Sequence, residues 1–197
     1  MSTATPAADA RLLAIDLLLS RSSAARLVEP APTPAEVETM LKASVTAPDH
    51  GRIRPWRFVV MRGEGRARLG TLMADALRAS NAEVSEQEME RERAKPLRAP
   101  LVISLAAQPN PAHKVPVIEQ VFAATAAGAQ LMLAANALGY GAAWRTGGAA
   151  HNPLVRRGLG FAEDASIIGF FYIGAVDPGG SRLPRAQIAS VVQYWGE

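Results

Sequence analysis

"TAPDHGRIRPWRFVVM", Thr46 to Met61, is the stretch on which the fold turns. A helix gives out at Pro48. A polar loop with Asp49, His50, Arg52 and Arg54 follows, and Pro55-Trp56 then launches an apolar run, Phe58 to Met61, that reads as a strand. Upstream, Thr33-Pro34-Ala35-Glu36 supplies an N-cap threonine, a proline at the first helical position and a glutamate three residues after the cap. These signals place a helix from about Pro34 to Ser44 or a little beyond. Downstream, Leu69, Leu72, Met73, Ala76 and Leu77 recur at helical spacing from Gly63 onward. A helix, a strand and a helix therefore follow one another around this loop.

The rest of the chain continues the mixture. Residues 1–8 read as a mobile tail, and the leucine-rich run from Leu12 to Ser20 reads as a helix. "NAEVSEQEMERERAKPLRAP", residues 81–100, is dense in charge and predicts a solvated helix or flap interrupted at Pro96. Leu101 to Ala106, Ala142 to Arg145 and "SIIGFFYIGAV" (166–176) are strand candidates, with a helical segment at Asn152 to Gly158 before the last of them. Val121 to Leu138 carries no charged side chain. It falls short of the roughly 20 residues a bilayer core requires and holds Thr125, Gln130 and Asn136, so it predicts a buried helix that must be covered on all sides. No repeat or low-complexity linker divides the chain, and a single domain over 1–197 of mixed α/β class is expected.

Composition narrows the function. The net charge is only +3, and most of the basic groups are arginines scattered along the chain, which argues against a nucleic-acid groove. There is no cysteine, so disulfides, thiolate metal sites and thiol redox chemistry are excluded, and any redox work needs a borrowed cofactor. The three histidines lack compact metal spacing. Neither classical nucleotide signature and no serine-nucleophile elbow occurs. The N-terminus lacks the pattern of a secretory signal, which predicts a cytoplasmic location and no membrane partner.

Three segments hold candidate binding chemistry. "SRSSAARL" brings Arg21, Ser22, Ser23 and Arg26, guanidinium forks beside hydroxyls, as a phosphate would require. The opening loop offers Thr46 and His50 between rigid elements. "GYGAAWRTGG", residues 139–148, combines glycines that let a ligand come close with an aromatic wall at Trp144 and a second Arg-plus-hydroxyl pair, Arg145 and Thr146.

Taken in order, "RSSAARL", "APDH" with "PWRF", "HKVP" (His113 to Pro116) and "GYGAAWRTG" resemble the nitroreductase family of flavoenzymes, and its short NAD(P)H nitroreductase branch in particular. The resemblance implies an α+β fold with a mostly antiparallel central sheet flanked by helices, in an intertwined homodimer. It implies noncovalent FMN at the subunit interface, NADH or NADPH as reductant, and a small-molecule electron acceptor such as a nitroaromatic or quinone. Arg21, Ser22 and Ser23 match the segment holding the phosphate and ribityl end of FMN. Thr46 and His50 match contacts made from the other subunit, and Trp144, Arg145 and Thr146 match the segment that completes the pocket. No side chain is required as a catalytic nucleophile, because the chemistry belongs to the flavin. The same residues would also serve a flavin carrier or sensor with little turnover. Arg54 stands where the family more often has glutamine.

Overall fold

Residues 8–177 and 185–196 are described in the structure, a computed structural model. The elements in chain order are α1 (Ala8–Ser20), β1 (Leu27–Val28), α2 (Pro34–Ser44), β2 (Trp56–Arg62), α3 (Glu64–Ser80), α4 (Glu86–Ala94), β3 (Leu101–Ala107), α5 (Val117–Ala137), β4 (Gly141–Arg145), α6 (Gly148–His151), α7 (Pro153–Gly158) and β5 (Ser166–Val176). Of the expected N-terminal tail, 1–8, only Ala8 is among the described residues, as the first residue of α1. That helix begins at Ala8, before the expected Leu12.

Local chemistry sets the boundaries. At the head of α2, Thr33 Oγ1 accepts from Glu36 N at 3.3 Å while the Glu36 carboxylate accepts from Thr33 N at 2.7 Å, a complete capping box. Ser85 and Glu88 build a second box at α4. Short 3-10 turns carry the chain through His50–Arg52 and through Lys95–Arg98, where Pro96 closes the charged segment.

Five strands form one sheet. Its order is β1-β5-β3-β2, with β4 also pairing β5, and every ladder is antiparallel. β1 is the strand that the sequence did not announce. Two residues carry no periodicity, and Leu27 and Val28 are strand only because Val176 and Ala175 lie opposite them.

β3 is buried along its whole length, and its alternation sorts the core into two layers. Leu101, Ile103 and Leu105 pack with Phe171 and Ile173 against α2 and α5, whereas Val102 and Ala106 pack with Phe170 and Tyr172 against α3 and the α6–α7 corner. Each fully buried Leu, Ile or Phe contributes about 1.5–3 kcal/mol. By length and composition α5 is the one helix among the described residues apolar enough to cross a membrane. Ala124, Ala127, Leu131 and Ala135 nevertheless lie fully buried in the layer between it and the sheet.

Candidate functional site

The site is built on β4, whose two faces open on different cavities. Trp144 turns toward α5, where its ring lies 5.1 Å from that of Phe171 and its Nε1 donates to Ile168 O at 3.0 Å. Gly169 permits this. A Cβ there would come within 2.1 Å of the indole nitrogen. Arg145, one residue on, lines a pocket on the opposite, α3-side face, as the period of two requires.

The chain leaving α1 runs along the free edge of β4. Ser23 bridges to Ala142 in parallel sense, and Ala24 N donates to Ala142 O at 3.1 Å. This edge contact joins two segments that are far apart in sequence. On the α5 face, Arg21, Ser23 and Trp144 line a groove of about 300 Å³ with Met132 and Leu133. Ser22 and Ser23 line a small cavity of about 80 Å³ beside Asn136 and Tyr140. On the other face, Arg145 and Thr146 line a pocket of about 330 Å³ with Ala24, Ala25, Gly147 and Gly148. Six of the eight candidate residues therefore gather around one sheet edge.

Thr46 and His50 do not join them. Thr46 Oγ1 donates to Ala43 O at 2.7 Å, closing the end of α2. The exposed His50 pairs through Nδ1 with Glu119 Oε2 at 2.7 Å, on the first turn of α5. The Arg21 groove meets the same helix at Ala129 to Leu133, so about 15 Å of helix separates the two places at 1.5 Å per residue. Within one chain these residues serve different surfaces.

The larger pocket has polar walls that sequence reasoning missed. Glu92, Lys95 and Arg98 enter it from α4 and the following 3-10 turn, with Lys95 Nζ bonded to Glu92 Oε2. Tyr172 and Phe170 form part of its lining from β5. Burial pushes the Tyr172 phenol up to about 12, a rise that Arg98 and Arg145 oppose and Glu92 reinforces. It is a neutral donor at ordinary pH. The charged run 86–98 reads as solvated in sequence, and the only signal for the pocket was the Pro96 break that turns its last residues back toward β3. Tyr172 had a clearer one, as the sole hydroxyl beyond Ser166 in an otherwise apolar strand.

A further cation comes from the C-terminal segment. Arg185 Nη2 donates to Arg21 O at 2.7 Å and also to Leu19 O, bracing the turn that presents Arg21. No group of three or more His, Asp and Glu able to hold a metal occurs among the described residues.

The family model described as "Nitroreductase family" matches residues 19–175, the span that contains β4, its edge partner and both cavities. The chain belongs to the nitroreductase family. Its relatives include the Escherichia coli K12 protein named "Putative NAD(P)H nitroreductase YdjA", 39% identical over 82% of this chain and 87% of that one. A similarly named protein of Haemophilus influenzae is 33% identical over the same shares. Among solved structures, a nitroreductase-like family protein from Bacillus cereus superposes with a TM-score of 0.80 at 22% identity, covering all of both chains. Iodotyrosine deiodinase bound to FMN and 3-iodo-L-tyrosine superposes with a TM-score of 0.67 at 18% identity, over 93% of this chain and 99% of that one. The sheet and its helical layers thus have the nitroreductase-like α+β fold.

Proposed function

We propose that this nitroreductase-family chain is an FMN-dependent NAD(P)H oxidoreductase, passing hydride from a nicotinamide through the flavin N5 to nitroaromatic, quinone or related electron-poor acceptors. The observation that carries the reading is the pairing of the Arg21–Ser23 segment with β4 at Ala142, which sets Arg21 and Ser23 beside Trp144 on one face while Arg145 and Thr146 line the other. Family membership and the NAD(P)H nitroreductase names of the relatives support it. So does the FMN named for the iodotyrosine deiodinase structure. We place the protein in the cytoplasm, where reduced nicotinamides are available.

The lining chemistry fits such a cofactor. Small residues, Ala24, Ala25, Gly147 and Gly148, leave room along one side of the 330 Å³ pocket, within the size range of small-molecule sites, and aromatic and cationic groups supply the rest. In this reading Arg21, Ser22 and Ser23 hold the phosphate and ribityl end by charge-assisted hydrogen bonds. Trp144 fixes the β4 end by packing on Phe171, so that Arg145 and Thr146 are presented without rearrangement. Thr46 and His50 reach the cofactor of a second subunit, since they stand far from the groove of their own chain. Bound FMN would supply hydride chemistry at N5, leaving placement and charge stabilisation to the protein.

The purified protein is expected to be yellow and to bleach rapidly when mixed anaerobically with NADH or NADPH. Flavin that is held but reduced by neither nucleotide would replace the enzyme with a carrier or sensor. A protein that stays colourless with added FMN refutes both. Arg21→Ala and Arg145→Ala should each weaken FMN binding by about 1.5–3 kcal/mol, roughly 10- to 150-fold in Kd by fluorescence quenching. Wild-type affinity in both variants would remove those roles.

A further inference from the structure

The loop that follows α2 holds three left-handed residues within four positions, two of them arginines. Gly51 has φ 80°, and Arg52 and Arg54 each have φ 54°, a left-handed backbone that residues with a Cβ rarely adopt. Such conformations persist where neighbours hold them, and here the holders are explicit. Asp49 accepts from Arg52 N through its backbone oxygen at 3.1 Å and from Arg54 N through Oδ2 at 2.7 Å. Arg57 Nη1 donates to Arg54 O at 3.0 Å and to Trp56 O at 2.8 Å. The effect of this bracing is to turn Arg52 toward the segment that follows β3.

That facing segment is fixed from below by a buried amide. Gln120, 1% exposed, accepts from Asn110 N at 2.7 Å and donates to Asn110 O at 3.0 Å and Val115 O at 2.9 Å. His113 Nδ1 in turn accepts from Val115 N at 3.1 Å, which leaves the proton of the neutral ring on Nε2. Gly51 lets the two walls close up, because a Cβ there would stand 2.9 Å from His113 Cε1. Between them lies a cleft of about 370 Å³ lined by Gly51, Arg52, Arg57, Gln108, Asn110 and His113, among others.

The lining is one-sided in its chemistry. The Arg52 guanidinium has no hydrogen-bond or ion-pair partner among the described residues, and Arg57 commits only Nη1. Asn110 Oδ1 is taken by Ala112 N at 3.1 Å, so its amide nitrogen is left to donate, and His113 offers Nε2–H. No carboxylate is among the described lining residues. Of the acids in the neighbouring segments, Asp49 accepts from Arg54 N through Oδ2, its Oδ1 being buried without a partner, and Glu119 pairs with His50. Two guanidinium forks with neutral N–H donors around one space are suited to a tetrahedral oxyanion.

We propose that this cleft is a phosphate subsite, in which Arg52 and Arg57 bind a phosphate monoester and His113 Nε2–H orients it. The phosphate has two candidate sources: the 2′-phosphate of NADPH, which rests on the NAD(P)H reading above, or a phosphorylated electron acceptor. Both present the same dianion to the same donors.

The test is a titration of isotope-labelled protein with inorganic phosphate, and then with adenosine 2′,5′-bisphosphate, followed by NMR. Saturable shifts are expected at the Gly51 and Arg52 amides and the His113 ring, absent with chloride at equal ionic strength. Arg52→Gln should weaken the binding about 10-fold or more, as expected for losing a charge-assisted hydrogen bond, and Arg52→Glu should abolish it. The absence of saturable shifts, or wild-type affinity in both variants, overturns the proposal. Steady-state kinetics then names the source. A KM raised for NADPH but not for NADH in Arg52→Gln assigns the donor's 2′-phosphate, while equal nucleotide kinetics beside intact phosphate binding by the wild type assigns the acceptor. A protein that binds no flavin defeats the oxidoreductase reading, yet the phosphate titration stands apart from it.

Discussion

Tyr172 shows at the scale of one residue how the site and the core share the same strand. Its ring packs with Phe170 in the α3-side core while its hydroxyl belongs to a pocket carrying Lys95, Arg98 and Arg145. Burial raises its pKa from the usual 10 to about 12. Below pH 10 the phenol is protonated in both folded and unfolded chains and adds no pH dependence. Between about pH 10 and 12 the unfolded chain loses the proton first, so stability must fall, by about 2–3 kcal/mol at 1.36 kcal/mol per pKa unit. Urea midpoints measured from pH 9 to 12 should therefore drop more steeply for the wild type than for Tyr172→Phe, and parallel curves would show that the phenol titrates normally. Little of this was legible in sequence. Arg21, Ser23, Trp144 and Arg145 were singled out because their types suit a phosphate and a flat ring, and the structure adds that they stand about one sheet edge. Tyr172 and Gly169 gain their roles only from what stands opposite them, and a strand sequence does not say which neighbour it will face.

Among the elements, the start of α2 was read to the residue because its signals are local. Proline, the capping threonine and Glu36 sit within four residues, and the box they form needs no partner elsewhere. Tyr140, beyond the end of α5, then ties this box to the sheet by donating to Glu36 Oε2 at 3.0 Å. Thr33→Ala removes the acceptor of the Glu36 N–H and one donor to its carboxylate, and it should cost about 1 kcal/mol in a urea titration. Thr33→Ser, which keeps both bonds, should restore most of that. A loss of a few tenths in the alanine variant would mean that the remaining bonds to the Glu36 carboxylate, from the backbone N–H at position 33 and from Tyr140, hold the helix start. The long strands were equally visible, from the length of their apolar runs. β1 was not, nor was the inward turn of Lys95–Arg98, since both depend on distant chain. α5 was read correctly as uncharged over its central length, but its demand for cover on every side is only half met.

That unmet demand governs the whole molecule. One side of α5 is buried on the sheet, while Ile118 and Phe122 on the other are 55% and 60% exposed. α1 leaves Leu12, Leu13, Ile15, Leu18 and Leu19 exposed, and its described hydrogen bonds to the body run from its C-terminal turn, where Asn136 Nδ2 donates to Leu17 O at 3.1 Å. Monomeric proteins rarely leave contiguous apolar surface on this scale uncovered. Thr46 and His50 lie displaced along α5 from the Arg21 groove, and in the function proposed above they would serve the cofactor of a second chain. On the proposed reading, a second copy of the chain would cover the outer face of α5 and bring His50 to the neighbour's cofactor. Sedimentation of the wild type should accordingly give a dimer. Phe122→Asp, placing a charge in the apolar contact, should weaken association by at least about 2 kcal/mol, roughly 30-fold, as for an aromatic hot spot. If the proposed site draws residues from both chains, flavin should be lost along the same concentration curve as the dimer. A wild-type monomer, or a Phe122→Asp monomer that keeps its flavin at wild-type affinity, would show instead that each chain completes its own pocket and that the apolar face has a different occupant.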